Sequence, residues 1–205
     1  KLLLYYKSRI KNDNIYPIRG DFCRTEDVKK VFSECLKIGK KVDILINNAG
    51  TFSISKNIEE IPEDNFNKIM NVNLKAPFLL SQLALESMKK TKWGRIVNIS
   101  SIGVKYGGNP GSAVYTISKA ALEKMTVCFA KAGASFNVLV NSVRAGVVDT
   151  KFHDLNPSKD MNKRTALIPL KRCARPEEIA ETIAFIISEK SSFTTGSIIT
   201  VAGGE

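Results

Sequence analysis

The period of apolar and polar positions changes repeatedly along the chain. "NIYPIRGDF" (14–22) predicts a strand ending near Asp21. "TEDVKKVFSECLKIG" (25–39) predicts a helix, with Thr25 as its N-cap and Gly39 as its stop. "KVDILINNAG" (41–50) is a short apolar run ending in Asn and Gly, the pattern of a buried strand feeding a loop. A long helical pattern then runs from about Glu63 to Lys90, with a break expected at Pro77. "GRIVNISS" (94–101) predicts a second buried strand, and Ser112 to Lys131 a helix. "NVLVNSVRAGVVDT" (137–150) predicts a strand running into a loop. Residues 151–172 carry Pro157 and Pro169 and no clear period, so they are expected to be irregular. "RPEEIAETIAFIISE" (175–189) predicts a helix with Pro176 in its first turn, and "GSIITVAGG" (196–204) a last strand.

Strands alternating with helices imply an α/β fold: a doubly wound parallel sheet, Rossmann-like, with helices on both faces. No internal repeat or linker interrupts the 205 residues, so a single domain over 1–205 is expected. In such a sheet a ligand lies beyond the carboxyl ends of the strands. Asp21, Asn47 to Gly50, Ser100, Ser101 and Gly146 to Thr150 all fall at those ends.

Charge and composition narrow the classes. The net charge of +11 raises nucleic acid as a partner, but the lysines are dispersed and no basic helix or aromatic RNA-binding motif accompanies them. The expectation is therefore no nucleic acid. No apolar run reaches the ~20 residues of a membrane span, so no membrane partner is expected either. Four scattered cysteines without a CxxC pair suggest neither a zinc site nor a disulfide framework. They suit reduced thiols in a cytoplasmic protein.

The chemistry starts at "YTISK". Tyr115 and Lys119 stand four apart on the predicted helix and share a face. A nearby cation favours the phenolate, so Lys119 is expected to lower the phenol pKa toward general acid/base duty. Alone, such a pair is commonly a surface ornament. Ser101 changes the reading: it ends a buried strand, and the glycine-containing loop to Tyr115 can turn its hydroxyl toward the phenol. Asn73 lies inside a helical stretch, a poor place for Asn unless its amide is used. Asn47, Asn48, Ala49 and Gly50 offer amides and close backbone access to a flat ligand. His153, the sole histidine, has no "GxSxG" elbow to serve and reads as a surface residue.

As a set, "NNAG" (47–50), "VNL" (72–74), "NISS" (98–101), "YTISK" (115–119), "RAGVVDT" (144–150), "RPEEIA" (175–180) and "TTGSIITVAGG" (194–204) resemble the short-chain dehydrogenase/reductase family, in the family's order. Within the family it resembles 3-oxoacyl-carrier-protein reductase-like members. The resemblance implies an oxidoreductase moving a hydride between NAD(P)(H) and a carbonyl/alcohol pair. Tyr115 would be the general acid/base, and Lys119 would tune it and bond the nicotinamide ribose. Ser101 would orient the substrate oxygen, and Asn73 would position a relay water. Asp21 would face the adenine, Asn47 to Gly50 the adenosine ribose, and Gly146, Val148 and Thr150 the nicotinamide amide and pyrophosphate. A homotetramer or homodimer is implied as well. Ala145 stands where the family usually has Pro, which is expected to loosen the following loop.

The family's glycine-rich turn is not in this sequence, whose first glycine is Gly20. The expectation is a domain lacking its first β-α unit or units, hence a piece of a longer parent chain. The basic balance leans toward NADP(H) over NAD(H). "KLLLYYKSRIKNDN" (1–14) reads as the helix preceding the "IYPIRGD" strand; in the alternative, with "LLLYY" as a strand, Lys7 and Arg9 lean toward NADP(H) as well. The polar, basic loop 151–172 hints at a polar or anionic substrate, such as a sugar derivative or a carrier-bound acyl group. The alternative class is a non-catalytic nucleotide-binding or regulatory member of the same fold.

Overall fold

The computed structural model describes residues 14–152 and 160–205. Four strands form one sheet: β1 (Ile44–Asn47), β2 (Gly94–Ser101), β3 (Val138–Ala145) and β4 (Ile198–Val201). They stand in chain order and all pair parallel. Parallel neighbours need crossovers, and helices supply each one. The β1–β2 connection holds α2 (Glu63–Met70), a π-helical segment (Asn71–Lys75) and α3 (Ala76–Thr91). After β2 come the short α4 (Gly103–Tyr106) and the long α5 (Ala113–Gly133). After β3 come the short α6 (Met161–Ala166) and α7 (Pro176–Ile187). α1 (Thr25–Gly39) precedes β1.

Strand side chains alternate between the two faces. Ile96, Val138 and Val140 pack with Leu80, Ala84, Met88, Leu122 and Phe129 of α3 and α5, and α1 adds Val28 and Phe32. Val97 and Val143 point the other way, onto Ile179 and Ile186 of α7. The period-2 reading of "GRIVNISS" thus becomes two hydrophobic layers on either side of one sheet. Further along β2 and β3, the positions facing α5 turn polar: Asn98, Ser100, Ser142 and Arg144.

Several expectations change. Residues 15–21 have no regular structure, because no described strand pairs with them. Arg24, not Thr25, is the N-cap of α1; Asp21 closes the turn before it by accepting from Arg24 N–H. The helix break falls at Asn71–Lys75 rather than at Pro77. Proline has no N–H for the carbonyl four residues back, and a π turn absorbs that defect just upstream. The Ala76 N–H reaches the Asn71 carbonyl, five residues back. β1 is less buried than expected: Ile44 and Ile46 are exposed, since no described element covers that face. The loop 151–172 is not wholly irregular, because the Asp160 carboxylate accepts from Asn162 and Lys163 N–H and starts α6. Ala145 is the last residue of β3, in register with Ser101 and Val201.

Candidate active site at the ends of β1, β2 and β3

The last three residues of β2 each meet α5. Ile99 offers its carbonyl to Lys119 Nζ at 2.7 Å. Ser100 Oγ donates to Glu123 Oε1 at 2.7 Å. Ser101 is the hydrogen-bonding side chain beside the Tyr115 phenol, and its Oγ also accepts from Gly103 N–H. Tyr115, Lys119 and Glu123 repeat every four residues, so one helix face meets one strand end.

Asn73 is fully buried in the π segment, and its amide is used completely. Oδ1 accepts from Thr51 N–H at 2.8 Å, while Nδ2 donates to the Thr51 carbonyl at 2.8 Å and to Ser118 Oγ at 3.0 Å. Ser118 Oγ in turn donates to the Tyr115 carbonyl at 2.6 Å. Asn73 therefore joins the loop after β1 to the helix that carries Tyr115. The sequence flagged Asn73 but gave no sign of Ser118 or Thr51 as its partners.

The loop after β1 divides its residues. Asn47 turns inward, its Nδ2 donating to Asn98 Oδ1 and Ser81 Oγ, so its side chain holds the sheet together. Asn48 and Ala49 are exposed. A Cβ on Gly50 would stand 3.4 Å from Lys119 Nζ, so glycine there leaves the approach to the ammonium open. Farther along, the Gly111 carbonyl accepts from Ser55 N–H, and a side chain on Gly111 would collide with the Ser55 carbonyl.

Burial sets the protonation of the pair. Desolvation raises the Tyr115 pKa, and the bond to Ser101 pulls the other way without reversing it. The expected lowering by Lys119 is not what this structure shows. Lys119 is itself buried, and desolvation brings it down to about 8. A dehydrated ammonium and a dehydrated phenol each disfavour their charged forms.

Phe52 and Phe152 complete the surroundings of the phenol. Phe52 meets the Tyr115 ring edge-on at 5.9 Å, Phe152 lies 6.0 Å from it, and the two phenylalanines are 4.9 Å apart. Neither was singled out from sequence; isolated phenylalanines carry no signal until loops bring them together.

The remaining expected residues have other local partners. Asp21 accepts from Cys23 N–H in the turn before α1. Gly146 packs so close to Ala202 that a Cβ would stand 2.7 Å from its Cα, a packing reason for glycine that needs no ligand. Val148 bridges to Ala174, and Thr150 Oγ1 accepts from Phe152 N–H at 3.4 Å. Lys7, Arg9 and His153 lie outside the described residues.

The donor set fits the nicotinamide-ribose end of a dinucleotide. An ammonium has three donors, Ile99 takes one from Lys119, and Gly50 leaves that group approachable. The pyrophosphate end finds no glycine-rich turn among these residues.

Comparison with known proteins bears on the family and the fold. The profile of a family described as enoyl-(acyl carrier protein) reductase matches residues 6–205. The chain is 36% identical over 179 residues to a 3-oxoacyl-[acyl-carrier-protein] reductase of Thermotoga maritima, covering 87% of this chain and 72% of that protein. It is 31% identical over 200 residues to a hydroxynaphthalene reductase-like protein of Metarhizium acridum, covering 91% of this chain and 74% of the other. A crystal structure of a candidate betaketoacyl-ACP reductase superposes with a TM-score of 0.80 at 32% identity, over 91% of this chain and 76% of that one.

Proposed function

From a chain that belongs to the short-chain dehydrogenase/reductase family, we propose a carbonyl reductase in which Tyr115 delivers the proton. The observation that carries this is the seam between β2 and α5, where Ser101, Tyr115 and Lys119 converge. Burial keeps the Tyr115 phenol protonated, the form a general acid needs. Ser101 holds the substrate oxygen beside that phenol. Lys119 steadies the departing proton's site and bonds the ribose of the cofactor. When bound, NADP(H) or NAD(H) supplies the hydride. The basic balance favours NADP(H).

Asn73 serves a relay through its backbone. Its amide is committed to Thr51 and Ser118, so it has no side-chain donor left for a water. Its carbonyl, however, lacks the usual N–H four residues on, because residue 77 is proline. That carbonyl can hold a water behind Lys119.

On the substrate side, Phe52 and Phe152 favour an apolar group next to the carbonyl. A 3-oxoacyl thioester suits both this wall and the acyl-carrier reductase relatives. Residues 1–205 are read as one domain that works as a homotetramer or homodimer. The free thiols of Cys23, Cys35, Cys128 and Cys173 suit a cytoplasmic setting.

The test is turnover of acetoacetyl thioesters with NADPH by the native protein and by Tyr115→Phe. The variant is expected to lose at least 10³-fold in kcat while keeping its NADPH affinity. Undiminished turnover would remove Tyr115 from the reaction. A wild-type protein that binds nucleotide yet reduces no carbonyl would favour the regulatory alternative.

A further inference from the structure

Glu123 sits one helical turn beyond Lys119 on α5 and is buried. It takes Ser100 Oγ from β2 at 2.7 Å. It also takes a two-pronged bond from Arg144 on β3: Nε to Oε1 at 2.9 Å and Nη2 to Oε2 at 2.7 Å. Ser100 and Arg144 are partners in the β2–β3 register. One carboxylate therefore clamps the helix to two adjacent strands at a single level of the sheet. That level lies between the Ile99–Lys119 contact and the Ser101–Tyr115 contact.

The pair also has an electrostatic side. Among the described residues, Tyr115 and Glu123 are the titratable groups one turn from Lys119 on its own helix, and Arg144 of β3 is bonded to Glu123. The π segment contributes Asn73, and β2 contributes Ser100 and the Ile99 carbonyl, all neutral. With Arg144 in place, the Glu123 carboxylate is matched by a guanidinium in fork geometry. Without it, a bare buried anion would stand four residues from Lys119 and hold the ammonium in its charged form.

We propose that Arg144 and Glu123 are positioning residues for the reaction. The pair fixes α5 against β2 and β3, so that Tyr115 and Lys119 meet the Ser101 end of the strand, and it keeps the Glu123 charge from pairing with Lys119. This rests on the reading of Tyr115 and Lys119 as proton-transfer groups. Neither residue touches substrate or cofactor in this scheme.

The experiment compares the native chain with Arg144→Lys, Arg144→Met and the double variant Glu123→Gln/Arg144→Met. Two readouts are taken: kcat and KM for NADPH-dependent reduction, and folding stability as a function of pH. The second needs no turnover. Arg144→Lys keeps the charge but loses the fork, so kcat should fall about tenfold to a hundredfold with KM little changed. Its stability-versus-pH midpoint should stay at the wild-type position. Arg144→Met should lower kcat likewise and move that midpoint upward by about one pH unit. The double variant should return the midpoint to the wild-type position and keep the kcat loss. It carries the test if Arg144→Met does not fold. Wild-type kcat in Arg144→Lys and the double variant would overturn the positioning role. An unmoved midpoint in folded Arg144→Met would overturn the electrostatic part. A wild-type protein without turnover would refute the reductase reading instead, and the pH readout would still decide the coupling.

Discussion

A buried ammonium is costly unless something replaces its water, and Lys119 has one carbonyl at 2.7 Å to do so. Its pKa near 8 therefore enters the stability of the whole chain. Unfolded, this lysine holds its proton up to about pH 10.4; folded, it releases it near pH 8. Between those values the unfolded chain binds more protons, so stability should rise with pH through that window. Below pH 8 both states are protonated and the full penalty is present. Tyr115, with its pKa raised by burial, works in the opposite sense above about pH 10, where the unfolded phenol ionises first. Chemical denaturation from pH 7 to pH 10 should show a gain of at most about 3 kcal/mol. Lys119→Met should flatten that gain. A wild-type profile already flat over this range would count against a dehydrated Lys119. At this scale the spacing of Ser101, Tyr115 and Lys119 was legible, because helix periodicity converts directly into a shared face. Their protonation was not, since desolvation depends on what covers a residue and not on its neighbours in the chain.

Among the elements, the π segment has the clearest purpose. Asn73 is a weak helix former, yet its three hydrogen bonds tie the loop after β1 to α5. Asn73→Ala would leave the Thr51 N–H and carbonyl without those partners. The expected loss is about 1–3 kcal/mol, read as a lower Tm, with a fall in kcat because Thr51 precedes Phe52 in the wall beside Tyr115. A thermal shift within error of wild type would show the three bonds to be dispensable. The sequence flagged Asn73 and a helical break, but placed the break at Pro77. Proline is visible in a sequence, whereas the extra residue that accommodates it upstream is a matter of hydrogen-bond register. The strands of "GRIVNISS" and "NVLVNSVRA" were legible in full because both faces are covered and every second residue packs. "NIYPIRGDF" has the same local character and forms no strand, since a strand exists only through a neighbour.

For the whole molecule, protection should follow position in the sheet. β2 and β3 are flanked on both sides, while β1 and β4 each have one partner among the described strands. Hydrogen exchange should therefore be slowest at Ile96–Ser100 and Val140–Val143 and faster at Ile44–Asn47. Equal protection of β1 and β2 would show that the outer face of β1 is covered in solution. The layered α/β architecture and the sheet edge that bears the candidate site were both readable from alternating periodicity. The Arg144–Glu123 clamp was not, because it needs the pairing of two strands and the phase of a helix at once. The strands pair in the order in which they occur. During synthesis each of these described strands can therefore add to an edge that already exists, with none of the four threading between earlier ones. Ser101, Tyr115 and Lys119 leave the ribosome before Arg144 does. A nascent chain can thus hold all three groups proposed for proton transfer while the last clamp on their helix has yet to emerge.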